Sequence, residues 1–490
     1  MRHILLATVL VFCLKSLSAQ DGHYWSEQYG NRSLLLAGAV VGSVEDLGAA
    51  FYNPSRLALI DNPSFLLSAK VYEFQSLKIE DALGSGDIIK NDEFSSSPAL
   101  AAGSFRLPFA EGHHFSYAFL TRYQSDINIF YRTEITRDIF DEYPGQELLI
   151  GTLDWTKRLR EEWFGGAWSY SPKKNFGIGV SLFYAQRKQS NSLNVRMNAL
   201  SQSNEGADYY NDVNMSYAAK GLITKIGASW VKGRTSYGIT ITPPRLRLGG
   251  KGSFRYEEFM NGVDNSGDFV DDDVFISNSQ SDLDAAYNSS LSIAVGAGVK
   301  LGQREQHGVH FSAEWFSKLD AYQIMDPAPF VGQSTGLEIN AVLYDELKSV
   351  VNFGIGGELY FSEHFNTYVG FSTDFLAQYD NESTSILNEE VYNGSFLRSN
   401  LFHFSFGGVL DTSIADITFG LLYTGSSEEL SRPINIPDNP GETFFNSDET
   451  FMVDYTRVRF VFGFTFPFAE DVEQKTMEAL GLSGKKKNRR

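Results

Sequence analysis

Arg457-Val458-Arg459-Phe460-Val461-Phe462-Gly463-Phe464-Thr465-Phe466 is the stretch on which the fold turns. Successive side chains of a strand point to opposite faces. Val458, Phe460, Phe462, Phe464 and Phe466 therefore share one face, and Arg457, Arg459, Gly463 and Thr465 share the other. A row of phenylalanines backed by charge and small residues describes a strand with an apolar medium on one side and a polar one on the other. The pattern recurs upstream. Phe176, Ile178, Val180, Leu182 and Tyr184 oppose Gly177, Gly179, Ser181 and Arg187. Leu291, Ile293, Val295, Val299 and Leu301 oppose Ser290, Ser292, Gly296, Gly298 and Lys300.

Working outward, alternation of this kind gives fourteen strands: 64–76, 97–107, 113–126, 158–171, 175–189, 215–231, 234–248, 286–301, 308–322, 346–361, 364–377, 398–410, 413–424 and 451–467. Their connections alternate in length. Those at 77–96, 127–157, 190–214, 249–285, 323–345, 378–397 and 425–450 are long, and those between them are short. Antiparallel transmembrane barrels have even strand numbers, short periplasmic turns and long outer loops. The chain is thus read as all-β, a 14-stranded antiparallel transmembrane β-barrel with both ends on the periplasmic side. A secreted β-sandwich array or propeller is the alternative, but no propeller-like repeat of fixed period is present.

Composition agrees. Aromatics make up 14% of 490 residues, with 39 Phe, 24 Tyr and 44 Gly. Sixty acidic residues against 41 basic ones give a net charge of −19, which repels phosphates and excludes a nucleic-acid partner. Arg2 and His3, the apolar run Ile4–Leu14 and Leu17-Ser18-Ala19 form a secretory signal peptide over 1–19. The single cysteine, Cys13, lies inside that run, so the exported protein is expected to hold together without disulfides or thiolate metal sites. No stretch after it reaches the ~18 apolar residues of a membrane-spanning helix.

Residues 20–63 break the alternation. They contain the small-residue run Ala37-Gly38-Ala39-Val40-Val41-Gly42-Ser43, the acidic pair Glu45-Asp46 and then Ala49-Ala50-Phe51-Tyr52-Asn53-Pro54-Ser55-Arg56-Leu57-Ala58. In these features the chain resembles the outer-membrane long-chain fatty acid transporter (FadL) family. Members of that family carry a small-residue segment, an acidic pair and an aromatic-Asn-Pro-Ala-x-Leu-Ala signature before their first strand. Here serine stands in the alanine position, at Ser55. A weaker likeness runs from Gly238-Ile239-Thr240 through Pro243-Pro244 to Leu246 and Gly250. The resemblance implies an N-terminal hatch, 20–63, plugging a barrel, 64–468, with Phe51, Asn53, Pro54 and Leu57 as the hatch motif. A periplasmic tail, 469–490, ends in Lys485-Lys486-Lys487-Asn488-Arg489-Arg490.

The alternation sends Arg122, Arg187, Lys225, Lys300, Arg457 and Arg459 into the lumen, against fewer inward acids: Glu314, Glu358 and Asp374. These bases either attract an anionic head group such as a fatty-acid carboxylate or pair with lumenal acids and with Glu45 and Asp46. The family is thought to release ligand sideways at a kink in the third strand. The matching segment, 113–126, has neither Gly nor Pro, which argues against an opening there. Pro243-Pro244 is expected to end a strand near the outer rim.

The acidic loop from Asp264 to Asp273 lacks the glycine of an EF-hand loop and reads as a solvated loop. His113-His114 read as turn residues, and the His403/Ser405 pair as lumen lining; no metal, cofactor or catalytic motif is expected, and the chain is not read as an enzyme. The expected function is passive outer-membrane uptake of a hydrophobic or amphipathic small molecule, by resemblance a long-chain fatty acid. The expected partners are outer-membrane lipid and that ligand. The alternative is an interaction partner or cargo shuttle of a type IX secretion system, since some relatives with the hatch motif have that role.

Overall fold

The computed structural model describes residues 22–60, 64–80, 88–107, 110–137, 145–262, 273–378, 391–392, 399–412, 414–431 and 450–467. The signal peptide, the basic tail and the acidic loop up to Asp272 lie outside these residues.

The strands, in chain order, are β1 (Ser64–Glu80), β2 (Ile88–Arg106), β3 (His113–Arg137), β4 (Glu147–Lys173), β5 (Phe176–Leu200), β6 (Gly206–Lys232), β7 (Thr235–Thr242), β8 (Leu246–Asn261), β9 (Val274–Asp284), β10 (Ser292–Leu301) and β11 (His307–Phe316). They continue as β12 (Leu319–Met325), β13 (Phe330–Val331), β14 (Glu338–Ile339), β15 (Leu343–Leu347), β16 (Val350–Ser362), β17 (Phe365–Asp374), β18 (Val391–Tyr392), β19 (Leu401–Asp411), β20 (Asp416–Ser431) and β21 (Thr450–Pro467). Fourteen of them, β1–β7, β10, β11, β16, β17, β19, β20 and β21, form one antiparallel ring. Pairing of β1 with β21 and of β5 with β6 completes it. Each expected strand has its counterpart in this ring.

The exposed hydrophobic residues explain why the ring faces lipid. Phe402, Phe404 and Phe406 on β19, and Phe460, Phe462, Phe464 and Phe466 on β21, all point outward and are exposed. Val351, Phe353 and Ile355 on β16, and Ile178, Val180 and Leu182 on β5, continue the belt. An apolar surface of this extent belongs against hydrocarbon. The short turns lie at the end where residue 60 leads into β1 and β21 finishes; in transmembrane barrels generally, short turns face the periplasm.

The sequence reading made several strands too short. β3 and β5 have 25 residues, and β4 and β6 have 27. At about 3.4 Å per residue the longest reach roughly 90 Å, far beyond a ~30 Å hydrocarbon core. Much of the expected loops 127–157 and 190–214 is therefore sheet that continues beyond the membrane. The polarity inverts there. In the membrane β5 shows its apolar side chains outward at Ile178, Val180, Leu182 and Tyr184, while beyond it Leu193 and Val195 are buried inward. The inward set joins Ile127, Ile129, Trp155 and Val453 in an outer core.

A second correction concerns residues 234–285. The expected strand 234–248 stops at Thr242, just before Pro243-Pro244, as a residue pair with one backbone donor missing at each proline requires. β8 starts afresh at Leu246 and pairs with the outer half of β6, then with β9. The expected long loop 249–285 is therefore largely this outer hairpin.

Candidate functional site

Residues 22–60 lie inside the ring. Most are buried, and they form two one-turn helices, α1 (Arg32–Leu35) and α2 (Ala49–Tyr52), and a 3-10 turn, Pro54–Leu59. Such a chain has little regular structure of its own, so its polar groups need partners elsewhere. Inward-facing acids of the wall provide them. Asp374 on β17 accepts hydrogen bonds from the Tyr24 and Trp25 backbone N–H groups (2.8 and 2.9 Å) and from Ser26 Oγ (3.1 Å). Glu314 on β11 accepts from Trp25 Nε1 at 2.8 Å, and Glu358 on β16 pairs with Arg32 at 2.6 Å. Charge also runs the other way. Glu27 sits between Arg457 (3.2 Å) and Arg459 (2.9 Å) of β21, all three nearly solvent-free.

Within the inner segment the acidic pair divides its work. Glu45 pairs with Arg32 (3.4 Å) and with Lys300 (3.5 Å). Asp46 has no ion pair among the described residues; it accepts from the backbone N–H groups of Asn31, Ser33 and Gly48 and from Ser33 Oγ, between 2.8 and 3.0 Å. Burial pushes the Asp46 carboxyl above the usual range, against the pull of these donors.

The motif residues have separable tasks. Asn53 is fully buried. Its Nδ2 donates to Val41 O (2.9 Å) in the small-residue run and to Ala228 O (3.3 Å) on β6. Its Oδ1 accepts from Ser55 N (3.2 Å) and Ser55 Oγ (2.6 Å), capping the 3-10 turn that Pro54 begins. The serine at position 55 thus adds a hydrogen bond that alanine cannot make. Leu57 is buried in the core beneath, and Phe51 faces a cavity.

Wall glycines let this segment approach so closely. A Cβ on Gly238 would collide with Val41 O, and one on Gly227 with Asn53 Oδ1. Gly238→Val is therefore expected to push Val41 and Asn53 off the wall while leaving the outward side of β7 unaltered. Hydrogen exchange at 37–55 should rise, with the heat-modifiable gel mobility of the barrel retained; unchanged exchange would refute the fit.

The cavity lies between residues 24–52 and the wall and measures about 90 Å³. Tyr24, Trp25, Phe51, Tyr52, Trp163 and Phe316 line it, with Thr240, Thr242, Ser292, Glu314 and Lys225 as polar points. Lys225 Nζ donates to Thr242 Oγ1 at 3.1 Å and stands 4.6 Å from the Phe51 ring centroid.

The six inward bases separate in this light. Arg187 is bound to Glu161 at 3.0 Å, Arg457 and Arg459 to Glu27, and Lys300 to Glu45. Arg122 donates to Tyr24 O at 2.5 Å and stacks on Tyr123. Lys225 lines the cavity and has no carboxylate within ion-pair distance among the described residues. The sequence reading missed Arg245, which shares Glu161 with Arg187 at 3.3 Å. Its position after the Pro243-Pro244 break hid its direction.

The third strand carries an irregularity that its composition does not show. β2 and β3 pair only from Arg106–His114 to Leu100–Leu120. Immediately above, β3 bulges: Thr121 faces Glu162 and Tyr123 faces Glu161, leaving Arg122 as an extra residue. Arg122 and Tyr123 both point inward, to Tyr24 O and His23 O. From there the outer parts of β2 and β3 pair with β1 and β4 instead of each other. A bulge needs one additional residue, not a glycine or proline, so their absence from 113–126 does not keep the seam closed.

A fourteen-stranded barrel with its lumen filled by the N-terminal chain, a small aromatic cavity and a seam in the third strand defines a class: plugged transmembrane barrels. Solved structures that share the fold include the following three. The Pseudomonas putida toluene transporter TodX superposes with a TM-score of 0.57 at 12% identity, covering 90% of this chain and 99% of that one. A Pseudomonas aeruginosa FadL homologue gives 0.53 at 11%, covering 91% and 100%. The Ralstonia pickettii toluene transporter TbuX gives 0.52 at 12%, covering 90% and 99%. No protein-family model matches the sequence, and no curated protein does.

Proposed function

We propose that the protein is an integral outer-membrane channel for passive uptake of hydrophobic or amphipathic small molecules, with a long-chain fatty acid as the first candidate. The observation that carries this reading is the aromatic cavity with Lys225 at its edge, under a plug held by buried charges. The size sets a condition. Sites for drug-sized ligands occupy about 300–1,000 Å³, and a benzene-binding cavity about 150 Å³. At about 90 Å³ the cavity is too small for an acyl chain, so residues 23–28 have to shift during passage. The seam above Leu100 and Leu120 is the proposed way out, into the outer leaflet.

Lys225 marks the head-group end. A charge-assisted hydrogen bond contributes about 1.5–3 kcal/mol, so Lys225→Met is expected to lower fatty-acid uptake by about tenfold or more and to leave uptake of an uncharged aromatic hydrocarbon unchanged. Equal loss for both substrates would remove Lys225 from the head-group role. The function itself is tested in a deletion strain by labelled fatty-acid uptake alongside secretion of cargo proteins. Lost secretion with normal uptake would replace this reading by the secretion one.

A further inference from the structure

The outer face of the long strands carries a groove that the transport route does not use. It measures about 660 Å³ and opens to the outside. Small side chains make its floor: Ser190, Ser216, Ala218 and Ser253. Cations flank it: Arg158 and Arg160 from β4, Lys188 from β5 and Lys251 from β8. Their placement is not that of scattered surface charge. Arg160 and Lys188 are directly opposite across the β4–β5 ladder, and like charges so placed destabilise a sheet unless an anion lies between them. Lys220 is exposed one outward position nearer the membrane on β6, diagonal to Lys188.

Carboxylates answer part of this charge. Asp126 lies 3.4 Å from Arg158, Glu162 2.6 Å from Arg160 and Asp284 2.9 Å from Lys251, and Glu93 also borders the groove. Lys188 and Lys220 have no ion pair among the described residues. In a chain of net charge −19, a basic groove on one face is a local feature that the overall charge does not explain.

Its height matters most. Phe164 on β4 and Tyr184 on β5 are exposed outward aromatics of the lipid-facing belt. Arg160 and Lys188 follow four residues further along, about 13 Å by strand length and roughly 10 Å in height at the usual barrel tilt. Lipid head groups lie at that level, and basic side chains near a membrane surface each contribute about 1 kcal/mol to binding anionic lipid.

We propose that this groove seats the phosphorylated sugar head of an outer-leaflet glycolipid, its phosphate oxygens held between Arg160, Lys188 and Lys220. The proposal rests on the outer-membrane reading. The full-length protein, purified from outer membranes in detergent, is examined by native mass spectrometry. Bis-phosphorylated glycolipid, its dephosphorylated form and inorganic phosphate are added in separate arms. The protein is expected to retain the bis-phosphorylated lipid, and Lys188→Glu with Lys220→Glu to reduce retention about tenfold while the boiled-versus-unboiled gel shift persists. Lys188→Arg with Lys220→Arg should retain it as the native protein does. Equal retention by the charge-reversed variant, or equal binding of the dephosphorylated lipid, would overturn the proposal. So would binding of inorganic phosphate without the lipid. Absence of the gel shift in the native protein would instead refute the membrane barrel itself.

Discussion

Replacing Glu27 with alanine is expected to open the lumen to ions. Glu27 is the only carboxylate paired with both Arg457 and Arg459 among the described ion pairs, and all three side chains are at least 95% buried. Removing one member of a buried ion pair costs about 3–5 kcal/mol, because it leaves charge without compensation. That cost falls on the docking of residues 23–31, since β21 is fixed on both sides by β1 and β20. Amide exchange over that segment should accelerate about 100-fold or more, following the tenfold per 1.4 kcal/mol rule. Ion conductance in planar bilayers should rise in parallel. Combining Glu27→Gln with Arg457→Gln and Arg459→Gln should recover part of the protection, because no unpaired charge then remains. Native exchange and native conductance in Glu27→Ala would show that Asp374 and Glu358 hold the segment without it.

That result would also bear on what the sequence could and could not disclose. Alternation revealed all fourteen ring strands because lipid on one side and a polar lumen on the other impose opposite residue types on a single strand. It failed beyond the membrane for the same reason. There the outside is water and the inside is packed, so Leu193 and Val195 turn inward where Ile178 and Val180 turn outward. A reader who follows one phase of alternation sees the pattern dissolve and assigns a loop. The inward direction of Arg187, Lys225, Arg457 and Arg459 was legible from the same parity, and so was that of Glu314, Glu358 and Asp374. Their partners were not. Glu27 meets Arg457 and Arg459 across more than four hundred residues of chain, and nothing local in either segment announces the other. The bulge in β3 was hidden differently. An extra residue leaves no compositional mark, and only the adjacent inward positions of Arg122 and Tyr123 record it.

Deleting Arg122 is expected to abolish uptake while preserving the barrel. On β3, Ser116, Ala118 and Leu120 face inward, and above the bulge Ile127 and Ile129 do so. Arg122 is the residue by which these two phases differ. Without it, Leu120 and Tyr123 become alternate positions of one regular strand, and every side chain above and below keeps its present face. A regular β3 could then continue its ladder with β2 past Leu100–Leu120, where pairing now stops. Extra backbone hydrogen bonds favour that closure by about 0.5–1.5 kcal/mol each, so the variant barrel should be no less resistant to boiling in detergent. Fatty-acid uptake should fall more than tenfold. Arg122→Ala separates the backbone from the side chain: it keeps the extra residue and loses the guanidinium contacts with Tyr24 O and Tyr123. It should transport measurably better than the deletion. Wild-type uptake by the deletion variant would place the exit elsewhere than β2–β3, and equal failure of both variants would assign the effect to the arginine side chain instead of the seam.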